Sequence, residues 1–253
     1  MTNCLCRYLG PYLCCILLVY DTVSKRNDCF TDKYPFIFSC YHTVKPLKKK
    51  HKIMNFLAHL HLADISGTHL TANLAGDFAK GSIINHPKHL QQGIWLHRQI
   101  DVVTDSHEII IDLLKQFPKS SRRVAPILID LAFDHYLAYY WEEYHHQSLQ
   151  DFTQKAYQCM QTTQLLPEKL QLIIPKIVQQ DWLSSYQTKQ GLNQAITGIS
   201  QRLSKPELFN SAIKDVDKLY IDIEIAFRTF YPQLMAYSRI YSRKTPAEYL
   251  DSI

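Results

Sequence analysis

Glycine is scarce in this chain, with seven in 253 residues and six of those after residue 53. Alternating β-branched runs are almost absent as well, so strands have little to build on and sheet architectures are excluded. No apolar run is long enough to cross a membrane. The one near the start, Tyr12 to Tyr20, covers about nine residues, against the roughly 20 needed to span a bilayer. Its length would suit a signal peptide, but no small-residue cleavage pattern follows in DTVSKRND. Cysteine is missing where a disulfide framework would need it. Cys4, Cys6, Cys14, Cys15, Cys29 and Cys40 precede residue 54 and Cys159 alone follows it. One cysteine cannot staple a domain, which points to a reducing compartment and a cytoplasmic location.

The net charge of +5 is unevenly placed. Residues 1–53 hold nine Lys/Arg against three Asp/Glu, while residues 54–253 hold 19 against 20. The body is therefore near neutral, and a nucleic-acid partner is not indicated. Composition changes abruptly near Met54. Residues 1–53 are read as a poorly structured extension outside the fold, in keeping with a start assigned upstream of Met54; a genuine tail or anchor is the alternative. Residues 54–253 provide one domain with ample apolar material for a core.

Helix signals fill that body. Met54 to Asp64 is apolar around Phe56, Leu57, Leu60 and Leu62, and Ser66-Gly67-Thr68 breaks it. His69 to Lys80 reads as a second helix closed by Gly81. Pro87 suits the first turn of a third, reaching Thr104. Ser106 to Phe117 forms a short helix ended by Pro118. A long helix then extends to about Tyr144, with Ser120-Ser121 as its cap and Pro126 near its start or at a kink. Breaks near Ser148, Pro167, Pro175, Gly191 and Pro206 leave four or five more, the last over Glu207 to Tyr231. The expected architecture is all-α, a single helical domain of about eight helices.

Chemistry concentrates in GIWLHRQIDVVTD, residues 93–105, where His97, Asp101 and Asp105 stand four apart on one helical face beside Arg98. Asn73 and Asp77 repeat the spacing, and so do Asp130 and Asp134, with His135 adjacent. Aspartate is an indifferent helix former and is seldom buried unless paired or metal-bound. Helical bundles commonly build metal sites from such inward-pointing groups, although a solvated charged face is the plain alternative. Imidazole with carboxylate suits Mn, Fe, Zn or Mg, the oxygen-rich set leaning towards Mn or Mg. His59 and His61, two apart, fall on nearly opposite helix faces, so only one can serve a site. Arg122 and Arg123 precede the long helix and are placed either to grip an anion or simply to be solvated. Tyr136, Tyr140 and Tyr144 form a packing stripe, and His86, His89, His145 and His146 are read as surface residues.

Together these motifs resemble a known family. NFLAHLHLA from Asn55, ANLAGDFAKG from Ala72, GIWLHRQIDVVTD from Gly93, RRVAPILIDLAFDHYLAYYW from Arg122 and FYPQLMAYSR from Phe230 are similar to the bacterial acyl carrier protein phosphodiesterases, also called holo-acyl-carrier-protein hydrolases. The resemblance runs from Met54 to about Arg239. It implies a divergent HD-superfamily phosphohydrolase, all-α and metal-dependent. The implied reaction cleaves the phosphodiester between 4′-phosphopantetheine and a serine of holo-acyl carrier protein, a carrier of fatty acid biosynthesis, with Mn²⁺ as the usual metal. On that view His97, Asp101, Asp134 and His135 ligate the ion. Asp77 is a further ligand or water-orienting base, and Arg98 neutralises charge developing on the phosphoryl oxygens. His59, Asp105 and Asp130 are supporting residues behind the ligands. Arg122 and Arg123 dock the acidic carrier protein.

The sequence departs from the HD pattern in one respect: the adjacent pair is reversed, as Asp134-His135. Two alternatives stay open on the sequence alone. One is an HD-type hydrolase of nucleotides or guanosine polyphosphates, and the other is a non-catalytic all-α module that binds carrier protein.

Overall fold

The ten residues from Phe56 to Ile65 have apolar side chains on every face, with His59, His61 and Asp64 as the polar exceptions. A helix of that kind can be stable only in the middle of a protein. In the computed structural model, which describes residues 56–202 and 205–250, they form α1 (Phe56–Ile65), buried from Phe56 through Ala63. The expected extension over residues 1–53 lies outside the described residues. Around α1 are arranged α2 (Leu70–Ala75), α3 (Lys88–Ser106), α5 (Ala125–Tyr139) and α12 (Tyr220–Ser242). The 23-residue α12 also packs against α3, α5 and α4 (Glu108–Gln116).

The remaining helices are shorter: α6 (Trp141–Tyr144), α7 (Leu149–Thr162), α8 (Glu168–Gln179), α9 (Trp182–Ser185), α10 (Lys189–Ser200) and α11 (Ala212–Lys218). Of these, α7 reaches α2, while α10 and α11 reach α5. One continuous apolar core results, in which Phe56, Leu60, Phe133, Tyr136, Phe227 and Phe230 are shut off from solvent. Each such side chain contributes about 1.5–3 kcal/mol by burial. No helix among the described residues is long and apolar enough to cross a membrane.

All-α architecture is what the sequence predicts, but the described residues hold twelve α-helices rather than about eight. Two divided segments account for much of the difference, and one helix is shorter than expected. The second helix ends at Ala75 instead of Lys80, because the N–H groups of Gly76, Asp77 and Phe78 bond the carbonyls three residues back, of Asn73, Leu74 and Ala75. The long helix breaks at Tyr140, whose backbone leaves the helical range at φ −102°, ψ 24°. The last segment divides at Leu219, and its second half continues to Ser242. Pro126 sits in the first turn of α5, and Ser120-Ser121 lie in the turns before it. His145 is buried, not on the surface, and Nε2 donates to Asp64 Oδ2 at 3.0 Å.

Candidate active site

Two glycines set the distance between α2 and α3. A Cβ on Gly93 would come within 2.5 Å of the Ala72 carbonyl carbon and the Asn73 nitrogen, so only a bare Cα lets α3 lie this close. One turn further on, the His97 ring lies against Gly76, where a Cβ would meet Cγ at 2.3 Å. The early end of α2 at that point turns the chain so that Asp77 faces the same ring. Oδ1 of Asp77 is 3.5 Å from His97 Nε2.

Asp101, one turn after His97 on α3, spans two imidazoles. Its Oδ2 lies 3.4 Å from His97 Nε2 and its Oδ1 lies 3.5 Å from His59 Nε2 on α1. The rings of His59 and His97 stack with centroids 4.0 Å apart and planes 28° from parallel. His59, His97 and Asp101 each offer a ligand atom, and those three atoms lie within 4.8 Å of one another. The nitrogen–oxygen separations exceed the ~2.7–3.2 Å of a made hydrogen bond. Both histidines are buried, and Asp101 is partly exposed, so the cluster opens to solvent on the carboxylate side.

Electrostatics favour a cation in this space. Burial opposes a charge on His97, yet Asp101 and Asp77 outweigh it and carry the imidazole up to about 10. Burial likewise works against ionised Asp101, but the charge of His97 beside it holds its carboxyl well below the usual range. Burial, and then the charges of Asp101 and Asp105, push Asp130 on α5 well above it. Two buried atoms at the centre, Asp77 Oδ2 and His97 Nδ1, have no hydrogen-bond partner among the described residues. Converging imidazole and carboxylate donors with an orphaned carboxylate oxygen fit a divalent cation, whose arrival would displace the proton from His97.

The structure thus brings together His97, Asp101 and Asp77 from the expected set and adds His59. It does not bring Asp134 or His135 into the group. The oxygens of Asp134 accept the N–H groups of Leu57 (3.1 Å) and Ala58 (2.8 Å) at the start of α1. Both ring nitrogens of His135 are engaged, Nδ1 donating to the Tyr186 carbonyl and Nε2 meeting the Tyr220 hydroxyl. No lone pair of that ring is left for a metal. Arg98 donates through Nη2 to the carbonyls of Ala79 and Gly81 and holds the loop that carries Asp77. Asp105 is exposed at the end of α3. Arg122 is tied to the end of α4 through the carbonyls of Lys115 and Phe117, and Arg123 is exposed. A cavity of about 600 Å³, lined by Phe56, Trp182, Tyr186, Lys176 and Arg202 among others, contains none of the clustered residues.

Sequence reasoning placed His59 only behind the ligands, and gave Asn73 and Gly76 no role. Gly76 reads as one more residue of a helix, because nothing in the sequence says that α2 ends there or that a ring lies on it.

An all-helical protein with a buried histidine–aspartate centre is the class this fold and site define. Within it, the chain belongs to the acyl carrier protein phosphodiesterase family, whose model matches residues 54–234. A protein named acyl carrier protein phosphodiesterase from Salmonella newport is 33% identical over 190 residues, covering 72% of this chain and 96% of its own length. The protein of the same name from Photorhabdus laumondii is 33% identical over 185 residues, covering 72% and 93%. No solved structure matches the chain significantly.

Proposed function

We propose that this protein hydrolyses the phosphodiester of holo-acyl carrier protein, releasing 4′-phosphopantetheine and the apo carrier protein, at the centre formed by His59, His97, Asp77 and Asp101. The observation that carries the reading is the convergence of three ligand atoms within 4.8 Å in a chain of this family. His59, His97 and Asp101 would hold a divalent cation, for which mixed imidazole and carboxylate donors suit Mn²⁺. A cation there supplies Lewis acidity towards the phosphoryl oxygens and acidity to nearby water.

The chain's own groups do the rest. Oδ2 of Asp77, buried and without a partner among the described residues, would orient a water for in-line attack on phosphorus and take its proton, the bond from phosphorus to the serine oxygen breaking as the new one forms. Arg98 keeps Asp77 in position through the loop at Ala79–Gly81. It acts through that loop and not by contact with the phosphate. Arg123, with Arg122 beside it, offers positive charge to an acidic carrier protein, which would show in the Michaelis constant more than in turnover.

Mass spectrometry of holo carrier protein incubated with the enzyme and Mn²⁺ tests the proposal. Loss of the phosphopantetheine arm is expected, together with its suppression by a chelator. His97→Ala and Asp101→Ala are expected to lower the rate by about 100-fold or more, beyond what loss of groups behind a metal's ligands costs. A carrier protein left intact by Mn²⁺-loaded enzyme would overturn the reading.

A further inference from the structure

Asn73 lies in the middle of α2 with its side chain shut off from solvent. Its Oδ1 is 3.0 Å from Nδ1 of His59. An amide oxygen can only accept, so the proton of this bond belongs to Nδ1. A neutral imidazole protonated at Nδ1 carries its lone pair on Nε2. That is the nitrogen facing Asp101 Oδ1 at 3.5 Å.

The opposite arrangement would close His59 to a metal. Were Asn73 to present Nδ2 instead, Nδ1 of His59 would accept and Nε2 would carry the hydrogen. The nitrogen that faces Asp101 would then carry a hydrogen and have no lone pair to offer a cation. Metal-ligating histidines commonly donate their second ring N–H to an oxygen acceptor, which sets tautomer and orientation and makes the ligating nitrogen more basic.

We infer that Asn73 is a positioning residue that holds His59 in the Nδ1–H tautomer, and so makes His59 Nε2 a ligand for the divalent cation. The inference rests on the metal reading of the His59–His97–Asp101 centre. It assigns to α2 a share in metal affinity, although Asn73 itself touches no metal.

Two measurements on the full chain test it. Nitrogen-15 spectra of the histidine rings in metal-free protein are expected to show His59 protonated on Nδ1; an Nε2–H tautomer overturns the inference. Titration with Mn²⁺ is expected to show Asn73→Leu, similar in size but without an acceptor, binding about 10–100-fold more weakly. Asn73→Asp keeps the acceptor and is expected to bind at or above the wild-type affinity. A folded Leu variant with wild-type affinity overturns the inference, since a merely structural Asn73 would lower the melting temperature and move neither readout. Should the Leu variant not fold, the ring spectra of the wild type decide alone. Wild-type protein that takes up no divalent cation removes the metal reading instead, and the ring spectra still decide on Asn73.

Discussion

The oxygens of Asp134 accept backbone N–H groups at the first turn of α1. Burial pushes the carboxyl up to about 8, against the N–H groups of Ala58, Leu57 and Phe56, which favour its charged form. The positive end of the α1 dipole acts in the same direction as those donors. Asp134→Ala would leave buried N–H groups without acceptors, and the expected loss is about 2–4 kcal/mol of stability in urea unfolding. Mn²⁺ affinity should stay at the wild-type level. The reverse result, full stability with lost metal, would return Asp134 to the ligand set. Its i,i+4 spacing from Asp130 is equally compatible with both roles, because spacing gives a shared face and not the identity of what lies opposite.

At the scale of the element, α2 and α3 show how backbone shape places chemistry. Gly76→Ala would put a methyl 2.3 Å from the His97 ring, so the ring must move. Overpacking of this kind costs about 1–3 kcal/mol, and displacement of His97 is expected to weaken Mn²⁺ binding as well. Gly198 is the control. A Cβ there meets only the tip of Arg202 at 4.0 Å, and Gly198→Ala inside α10 should be neutral or stabilise by up to about 1 kcal/mol. Thermal melts and metal titrations of the two variants check both statements. Equal melting temperatures would show that the α2–α3 approach has slack that the close contact at Gly76 denies.

For the whole molecule, the opposite face of α1 contributes a distinct acid sensitivity. His61 meets the Tyr231 hydroxyl through Nδ1 and the Tyr144 carbonyl through Nε2. Burial pushes its imidazole down to about 3, so the folded protein keeps it neutral while the unfolded chain protonates below about 6.5. Its contribution is therefore present above pH 6.5 and falls as the pH drops from there towards 3. Between pH 7 and 5 the loss is about 2 kcal/mol. His97 in the metal-free protein runs the other way. Raised to about 10, it favours the fold in full below pH 6.5, less as the pH rises towards 10, and returns about 1 kcal/mol over the same interval. Urea unfolding at pH 7 and 5 is expected to show a change in stability about 2 kcal/mol more favourable on acidification for His61→Gln than for the wild type; identical changes would remove His61 from the acid response.

Periodicity and the poverty of glycine and β-branched alternation were enough to establish an all-helical body, because burial of an apolar stripe every 3.6 residues is a local property of the chain. The pairing of His97 with Asp101 was legible for the same reason, being one turn of one helix. Long-range placement was not. Whether His59 or His61 entered the site depended on which side of α1 met α3, and the place of Asp77 depended on a helix ending at Ala75 five residues early. The fates of Asp134 and His135 were decided by a backbone terminus and by two tyrosine partners 51 and 85 residues away. Contacts of that range depend on how the helices stack, and no spacing within a single helix encodes them.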